Sequence, residues 1–124
     1  MTSPLRTAMR SALTDAMRSR DRVAASALRS GLAALDNAEA VPVTDAVPLD
    51  GSSPIAGAAV GVGATEATRR ELSARDEHAL VRAEVTERRA AAAEVEAAGR
   101  ADRAADLHHE ADVLETVLAQ VART

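Results

Sequence analysis

The stretch LSARDEHALVRAEVTERRAAAAEVEAAG, residues 72–99, decides the fold together with the run that follows it. Ser73 stands three residues before Asp76, an acidic variant of the capping box that begins a helix. Gly99 can adopt the left-handed backbone that ends one. We therefore predict two helices, about 74–98 and 101–122, that fold back on each other at Gly99. Their apolar stripes are Val81, Val85, Ala92 and Val95 on the first helix, and Leu107, Ala111, Leu114, Leu118 and Val121 on the second.

The N-terminal region predicts another helical hairpin. Ser3 followed by Pro4 is a strong helix start, because the hydroxyl can cap the helix and proline suits its first turn. Apolar residues then recur every four positions and predict a buried stripe on a helix of about 4–19. These residues are Leu5, Met9, Leu13 and Met17. A methionine stripe can also line an adaptable binding groove, but at helical spacing it is more often part of the core.

The next helix is predicted over about residues 22–37, with Asp21 as its cap. A turn as short as Arg20 to Asp21 makes the two helices antiparallel. Gly31 lies within the second helix, where glycine is less favourable than alanine by about 1 kcal/mol. Close crossing of another helix and simple neutral drift are two explanations for it, and the sequence leaves both open.

Residues 41–65, VPVTDAVPLDGSSPIAGAAVGVGAT, contain prolines and glycines at a spacing that neither a helix nor a central strand tolerates. The glycines match neither GxGxxG nor GxxxxGK, so we expect a long connection rather than a phosphate-binding loop. The predicted fold class is all-α. It consists of two antiparallel helix hairpins, similar to a four-helix bundle, in one domain that spans residues 1–124 and is joined by this Pro/Gly-rich loop.

Composition limits the kind of core that this chain can build. Of its 124 residues, 47% are hydrophobic and 0% are aromatic, so the core must consist of Leu, Val, Met and Ala. Such a thin core makes self-association or a protein partner plausible. No run approaches the roughly 20 apolar residues of a membrane span, and the N-terminus does not resemble a signal peptide. We expect a cytoplasmic protein without a membrane segment.

Candidate chemical groups are few. His108 and Asp112 have the i and i+4 spacing of two metal ligands, but a zinc site needs three or four, and His78 lies on another predicted helix. No GxSxG elbow and no identifiable carboxylate pair for acid–base work is present. We predict no catalytic residue, no cofactor site and no metal site.

Charge is distributed unevenly along the chain, whose formal net charge is -4. Residues 1–40 carry six arginines and four acidic residues, a net charge of +2, whereas residues 66–124 carry nine and thirteen, a net charge of -4. Helical spacing predicts the surface pairs Glu84–Arg88 and Glu71–Arg75. A local phosphate-binding face is conceivable around four arginines, although no aromatic side chain is available to stack on a base. These arginines are Arg18, Arg20, Arg22 and Arg29.

Two segments resemble one known family. LTDAMRSRDRVAASALRSGLAALDNAE, residues 13–39, is similar to the opening helical hairpin of the GatB/YqeY family, and residues 81–118 are similar to its second pair of helices. The most specific pieces are the ALRSGLAALDNAE run, the ERR of residues 87–89 and the AAGRAD turn at Gly99. The Pro/Gly-rich middle resembles an insertion of actinobacterial members.

The resemblance implies a link to tRNA and translation metabolism. Members usually add a C-terminal domain similar to the tail of the tRNA-dependent amidotransferase B subunit, and the family is described as carbon–nitrogen ligases with glutamine as amide donor. The sequence stops at VLAQVART, where that tail would begin, and no catalytic residue carries over. We expect a non-catalytic accessory domain that contacts a protein partner or itself. The alternatives are participation in glutamine-dependent amidation, with Arg88 and Arg89 involved, and tRNA binding through the four arginines near the first turn.

Overall fold

A computed structural model describes residues 2–40 and 71–123 of this chain. These residues form four α-helices and no strand, which confirms the all-α prediction. The helices are α1 (Pro4–Arg18), α2 (Arg22–Ala40), α3 (Ala74–Ala97) and α4 (Ala101–Arg123). In the described ranges, no helix is long and apolar enough to cross a membrane.

The chain separates into two compact units. The first comprises residues 1–35 and 73–124, and it contains both hairpins except for the last residues of α2. The second comprises residues 36–72, of which the structure describes only 36–40 and 71–72. The predicted loop 41–65 therefore lies outside the described residues, and the single domain spanning 1–124 stays a prediction.

Side-chain caps begin three of the helices as their sequences predict. The Ser3 hydroxyl accepts a hydrogen bond from the Arg6 N–H at 3.1 Å, with Pro4 in the first turn. Asp21 Oδ1 accepts one from the Ala24 N–H at 2.9 Å. Ser73 and Asp76 form the reciprocal capping box, because the side chain of each accepts from the backbone N–H of the other. Each cap satisfies N–H groups that have no partner within the helix.

The same turn motif closes both hairpins. In the first turn, the Arg20 N–H donates to the Met17 carbonyl and the Asp21 N–H donates to the Ala16 carbonyl, at 3.2 and 2.8 Å. In the second turn, Gly99 and Arg100 make the equivalent bonds at 3.0 and 2.8 Å. This pair of bonds defines the Schellman motif, which needs a left-handed residue after the helix. That residue is Gly99 in one turn, with φ of 86°, and Arg20 in the other, with φ of 62°.

Gly31 lies where α2 crosses its neighbours. A Cβ atom at this position would stand 2.6 Å from Met9 Cε and 3.3 Å from Leu114 Cδ2. Close crossing, rather than neutral drift, therefore explains this glycine. The largest fully buried side chains come from all four helices: Met9, Leu28, Leu35, Val81 and Leu114.

Most predicted stripe residues are buried, but Met17 is not. Leu5, Met9 and Leu114 are at most 4% exposed, whereas Met17 is 54% exposed. The core assignment of Met17 was therefore wrong. The physical reason is its place in the last turn of α1, beside the turn to α2, where its side chain borders an open groove that leaves more than half of it exposed.

A buried ion pair joins α1 to α3. Arg6 Nε lies 3.3 Å from Glu77 Oε2, and the two side chains are 9% and 5% exposed. No sequence pattern predicts this pair, because its members are 71 positions apart. Pairing offsets the cost of removing both charges from water. Loss of either partner would therefore leave the other charge buried without compensation.

Gly31→Val is expected to destabilise the protein by about 1–3 kcal/mol, because it forces side-chain carbons into the space of Met9 and Leu114. Ala33→Val is the matched control, since Ala33 is exposed on the same helix and reports only the lower helix propensity of valine. Urea unfolding followed by circular dichroism measures both. Equal losses in the two variants would contradict the close crossing.

Arg20→Gly and Gly99→Ala are expected to change stability in opposite directions. Arg20 has a left-handed backbone conformation that is unfavourable for a residue with a side chain, so glycine at this position should stabilise the protein by up to about 1 kcal/mol. Gly99→Ala should destabilise it by about 1–2 kcal/mol, because alanine is strained in the same conformation. A Cβ at residue 99 meets no atom within 4 Å, so the second effect is one of backbone conformation alone. Thermal unfolding measures both changes, and shifts of the same sign would disprove the motif.

Candidate functional site

An open groove of about 760 Å³ lies at the turn of the first hairpin. The end of α1 forms one wall and the start of α2 forms the other. Its lining, here called the arginine groove, consists of Ala16, Met17, Arg20, Asp21, Arg22, Ala25 and Arg29. Several charged and apolar side chains border this one open depression.

Local structure explains why three arginines meet there. Arg22 and Arg29 are seven residues apart on α2, which is close to two helical turns and places them on one face. Arg20 reaches the same groove from the turn itself. Arg18, the fourth arginine predicted for this face, is exposed in the last turn of α1 but does not line the groove.

The groove arginines differ from most arginines of the second hairpin in their partners. Within residues 2–40 and 71–123, Arg20, Arg22 and Arg29 form no ion pair with a carboxylate. Three guanidinium groups and the Asp21 carboxylate give the groove a formal charge of +2. A region of positive potential is thus open to solvent on a chain whose formal net charge is -4.

The floor of the groove is apolar. Ala16 and Ala25 are 7% and 5% exposed, whereas 54% of the surface of Met17, which lines the same groove, is exposed. Met17 is the single large apolar residue that is exposed among those the structure describes. Arg29 Nη2 lies 3.7 Å from its sulfur, so a cation borders the apolar side chain directly.

Asp21 connects the groove to α4. Its Oδ2 atom lies 2.7 Å from His109 Nε2, while its Oδ1 atom caps α2. The Ala24 N–H, followed by the His109 side chain, holds the pKa of the Asp21 carboxyl below its usual value of 3.8. Asp21 is therefore ionised at neutral pH and provides the one negative charge of the groove.

Arg88, a candidate interaction residue, forms ion pairs within the α3–α4 hairpin. Its Nη1 atom lies 2.7 Å from Glu84 Oε1, and its Nε atom lies 2.8 Å from Glu110 Oε1. The predicted Glu84–Arg88 pair is thus confirmed. The predicted Glu71–Arg75 pair was wrong, because Glu71 precedes the first residue of α3 and helical spacing does not apply to it.

Arg89 also bridges α3 and α4. Its Nη2 atom lies 2.8 Å from both Asp112 Oδ1 and Glu115 Oε1, and its Nη1 atom lies 3.1 Å from His108 Nδ1. Arg89, followed by Arg82, holds the pKa of the Glu115 carboxyl below its usual value. The structure therefore separates the six candidate arginines: three line the groove, Arg18 lies outside it, and Arg88 and Arg89 join two helices.

The polar residues His108, His109 and Asp112 of α4 contact α3 and the turn between α1 and α2. His108 and Asp112 both lie against Arg89, and His109 lies against Asp21. Across the described ranges, no group of three or more His, Cys, Asp or Glu residues is placed to hold a metal ion.

Comparison with known proteins identifies no relative. No family model, no curated protein and no solved structure matches this chain. The resemblance to the GatB/YqeY family stays a prediction.

Two features of the groove are missing from the sequence prediction, namely the exposure of Met17 and the pairing of Asp21 with His109. The exposure of Met17 could have been inferred from its position, because an apolar residue in the last turn of a helix has few neighbours to cover it. The Asp21–His109 pair spans 88 positions and has no local signal.

The stability that the Asp21 charge provides is expected to disappear in acid. Because its folded-state pKa is lowered, the contribution is present at neutral pH and is lost as pH falls through the folded pKa, below 3.8. Asp21→Asn retains a capping side chain and removes the charge. It should be less stable than the wild type at neutral pH and equally stable below the folded pKa. Urea unfolding across this pH range tests the expectation, and a difference that persists in acid would contradict it.

Proposed function

We propose that this chain is a non-catalytic helical interaction domain. In this proposal it is a cytoplasmic accessory component of tRNA-linked translation metabolism, as the resemblance to the GatB/YqeY family implies. The observation that carries the proposal is the contrast between the arginines at the first turn and those on α3. Arg20, Arg22 and Arg29 border an open groove without carboxylate partners among the described residues, whereas Arg88 and Arg89 bind acidic side chains of their own hairpin.

The ionisable side chains of α4 support a binding role. Glu110, Asp112 and Glu115 accept hydrogen bonds from arginines of α3 at 2.8–3.0 Å. Charges paired in this way fix one helix against the other and specify how the hairpin packs. The cations at the first turn have no such structural task, which leaves them available to a partner.

Two alternatives accompany this proposal. Participation in glutamine-dependent amidation follows from the family description and would involve Arg88 and Arg89. Direct tRNA binding is favoured by the positive charge of the groove, and it would depend on phosphate contacts, since the chain has no aromatic residue for base stacking.

The proposal predicts a stoichiometric partner. The tagged chain, recovered from an extract of its own cells and analysed by size exclusion with light scattering, should carry one other protein or a second copy of itself. Addition of the purified chain to amidotransferase subunits with misacylated tRNA should leave the rate of amide formation unchanged. A monomer without a partner would contradict the proposal, as would a reproducible rise in amide formation.

A further inference from the structure

We infer that the arginine groove binds an acidic protein segment that carries an apolar side chain between its carboxylates. This inference rests on the proposed function, since it names the chemistry of the protein that the domain would bind. Four observations support it: the charge of the groove, its apolar floor, the conformation of Arg20, and the composition of the whole chain.

Charge selects the acidic part of the ligand. A guanidinium group presents paired N–H donors that match the two oxygens of a carboxylate. Arg20, Arg22 and Arg29 offer three such groups around one depression, and they form no ion pair within the described ranges. The net charge of -4 for the whole chain makes this positive groove a local exception.

Met17 selects the apolar part of the ligand. A methionine side chain is flexible and polarisable, and it adapts to apolar groups of different shape. Met17 is 54% exposed and lines the groove together with the buried Ala16 and Ala25, and the Arg29 guanidinium lies 3.7 Å from its sulfur. An apolar side chain that covers Met17 would therefore lie in the same groove as the guanidinium groups of Arg20, Arg22 and Arg29, which favours acidic residues next to it in the ligand.

Arg20 occupies a conformation that glycine adopts more easily. Its φ of 62° is left-handed, and the equivalent position of the second turn is Gly99. Both turns have the same hydrogen bonds, so the turn itself does not require arginine. Residues held in such a conformation cluster at sites of function. A binding role for the Arg20 guanidinium explains why a side chain is present here.

Composition favours a protein segment over single-stranded RNA as the ligand. Single-stranded RNA is bound by phosphate contacts combined with stacking of bases on aromatic rings, and this chain contains 0% aromatic residues. A phosphate backbone would also make no use of Met17. A volume of about 760 Å³ suits a few side chains of a short segment.

Fluorescence anisotropy with labelled peptides tests the inference. The probe is a peptide of repeating Glu-Glu-Leu, with Glu-Glu-Ser and Lys-Lys-Leu repeats and oligouridylate RNA for comparison. The groove variant combines Arg20→Gly, Arg22→Ala and Arg29→Ala. The control variant combines Arg10→Ala, Arg75→Ala and Arg100→Ala. It removes three exposed arginines that lie outside the groove and form no ion pair within the described ranges.

The Glu-Glu-Leu peptide should bind the wild type and the control variant, more weakly as salt rises, and the groove variant should lose about tenfold or more in affinity. Met17→Ser should weaken Glu-Glu-Leu binding and leave Glu-Glu-Ser binding unchanged. Amide shifts of the wild type on addition of the peptide should be largest at residues 16–29, which tests the location without any variant.

Equal losses in the groove and control variants would overturn the inference, as would tighter binding of oligouridylate at the same salt or no effect of Met17→Ser. Its failure is distinguishable from failure of the proposed function. A cellular partner that the groove variant still retains would leave the function standing and remove the groove from it. Peptide binding at the groove without any cellular partner would support the inference and contradict the proposed function.

Discussion

The close approach of α2 to α1 and α4 at Gly31 is the contact on which the rest of the structure depends. Without aromatic rings, the core of this chain gains less buried area per side chain, so its helices must pack closely to exclude water. Gly31 makes that possible by leaving room for Met9 and Leu114. Ala27 on α2 and Ala111 on α4 are both fully buried, and their small side chains also allow close packing.

Ion pairs also join the helices, in addition to the apolar contacts of the core. Arg6 and Glu77 join α1 to α3 in the interior, and Arg88 joins α3 to α4 with its side chain 13% exposed. Hydrogen-bonded geometry offsets the cost of desolvating these charges, and removal of one partner would leave the other charge buried and uncompensated. The arginines at the first turn are outside this network. The same residue type thus occurs in two settings among the described residues, paired with carboxylates between helices or bordering the open groove, and its position relative to the helix contacts separates them.

Local patterns predicted the helices well, since caps, apolar periodicity and the glycine turn act within a few residues of each other. The Ser73–Asp76 capping box and the left-handed Gly99 are present as predicted. The extent of the site was less predictable. Sequence spacing grouped four arginines near the first turn, but the choice of the three that line the groove depends on how α1 and α2 pack. Met17 was misassigned because periodicity shows which face a residue is on and not whether another helix covers it.

Modification of arginines by a dicarbonyl reagent, followed by mass spectrometry, tests the division of the arginines most directly. The rate at each guanidinium follows its access to solvent, and the full chain can be used without substitution. Arg20, Arg22 and Arg29 should react fast, whereas Arg6 and Arg88, with side chains 9% and 13% exposed, should react slowly. Similar rates at all five sites would contradict the structural account, since the buried pairs and the open groove could not then both exist.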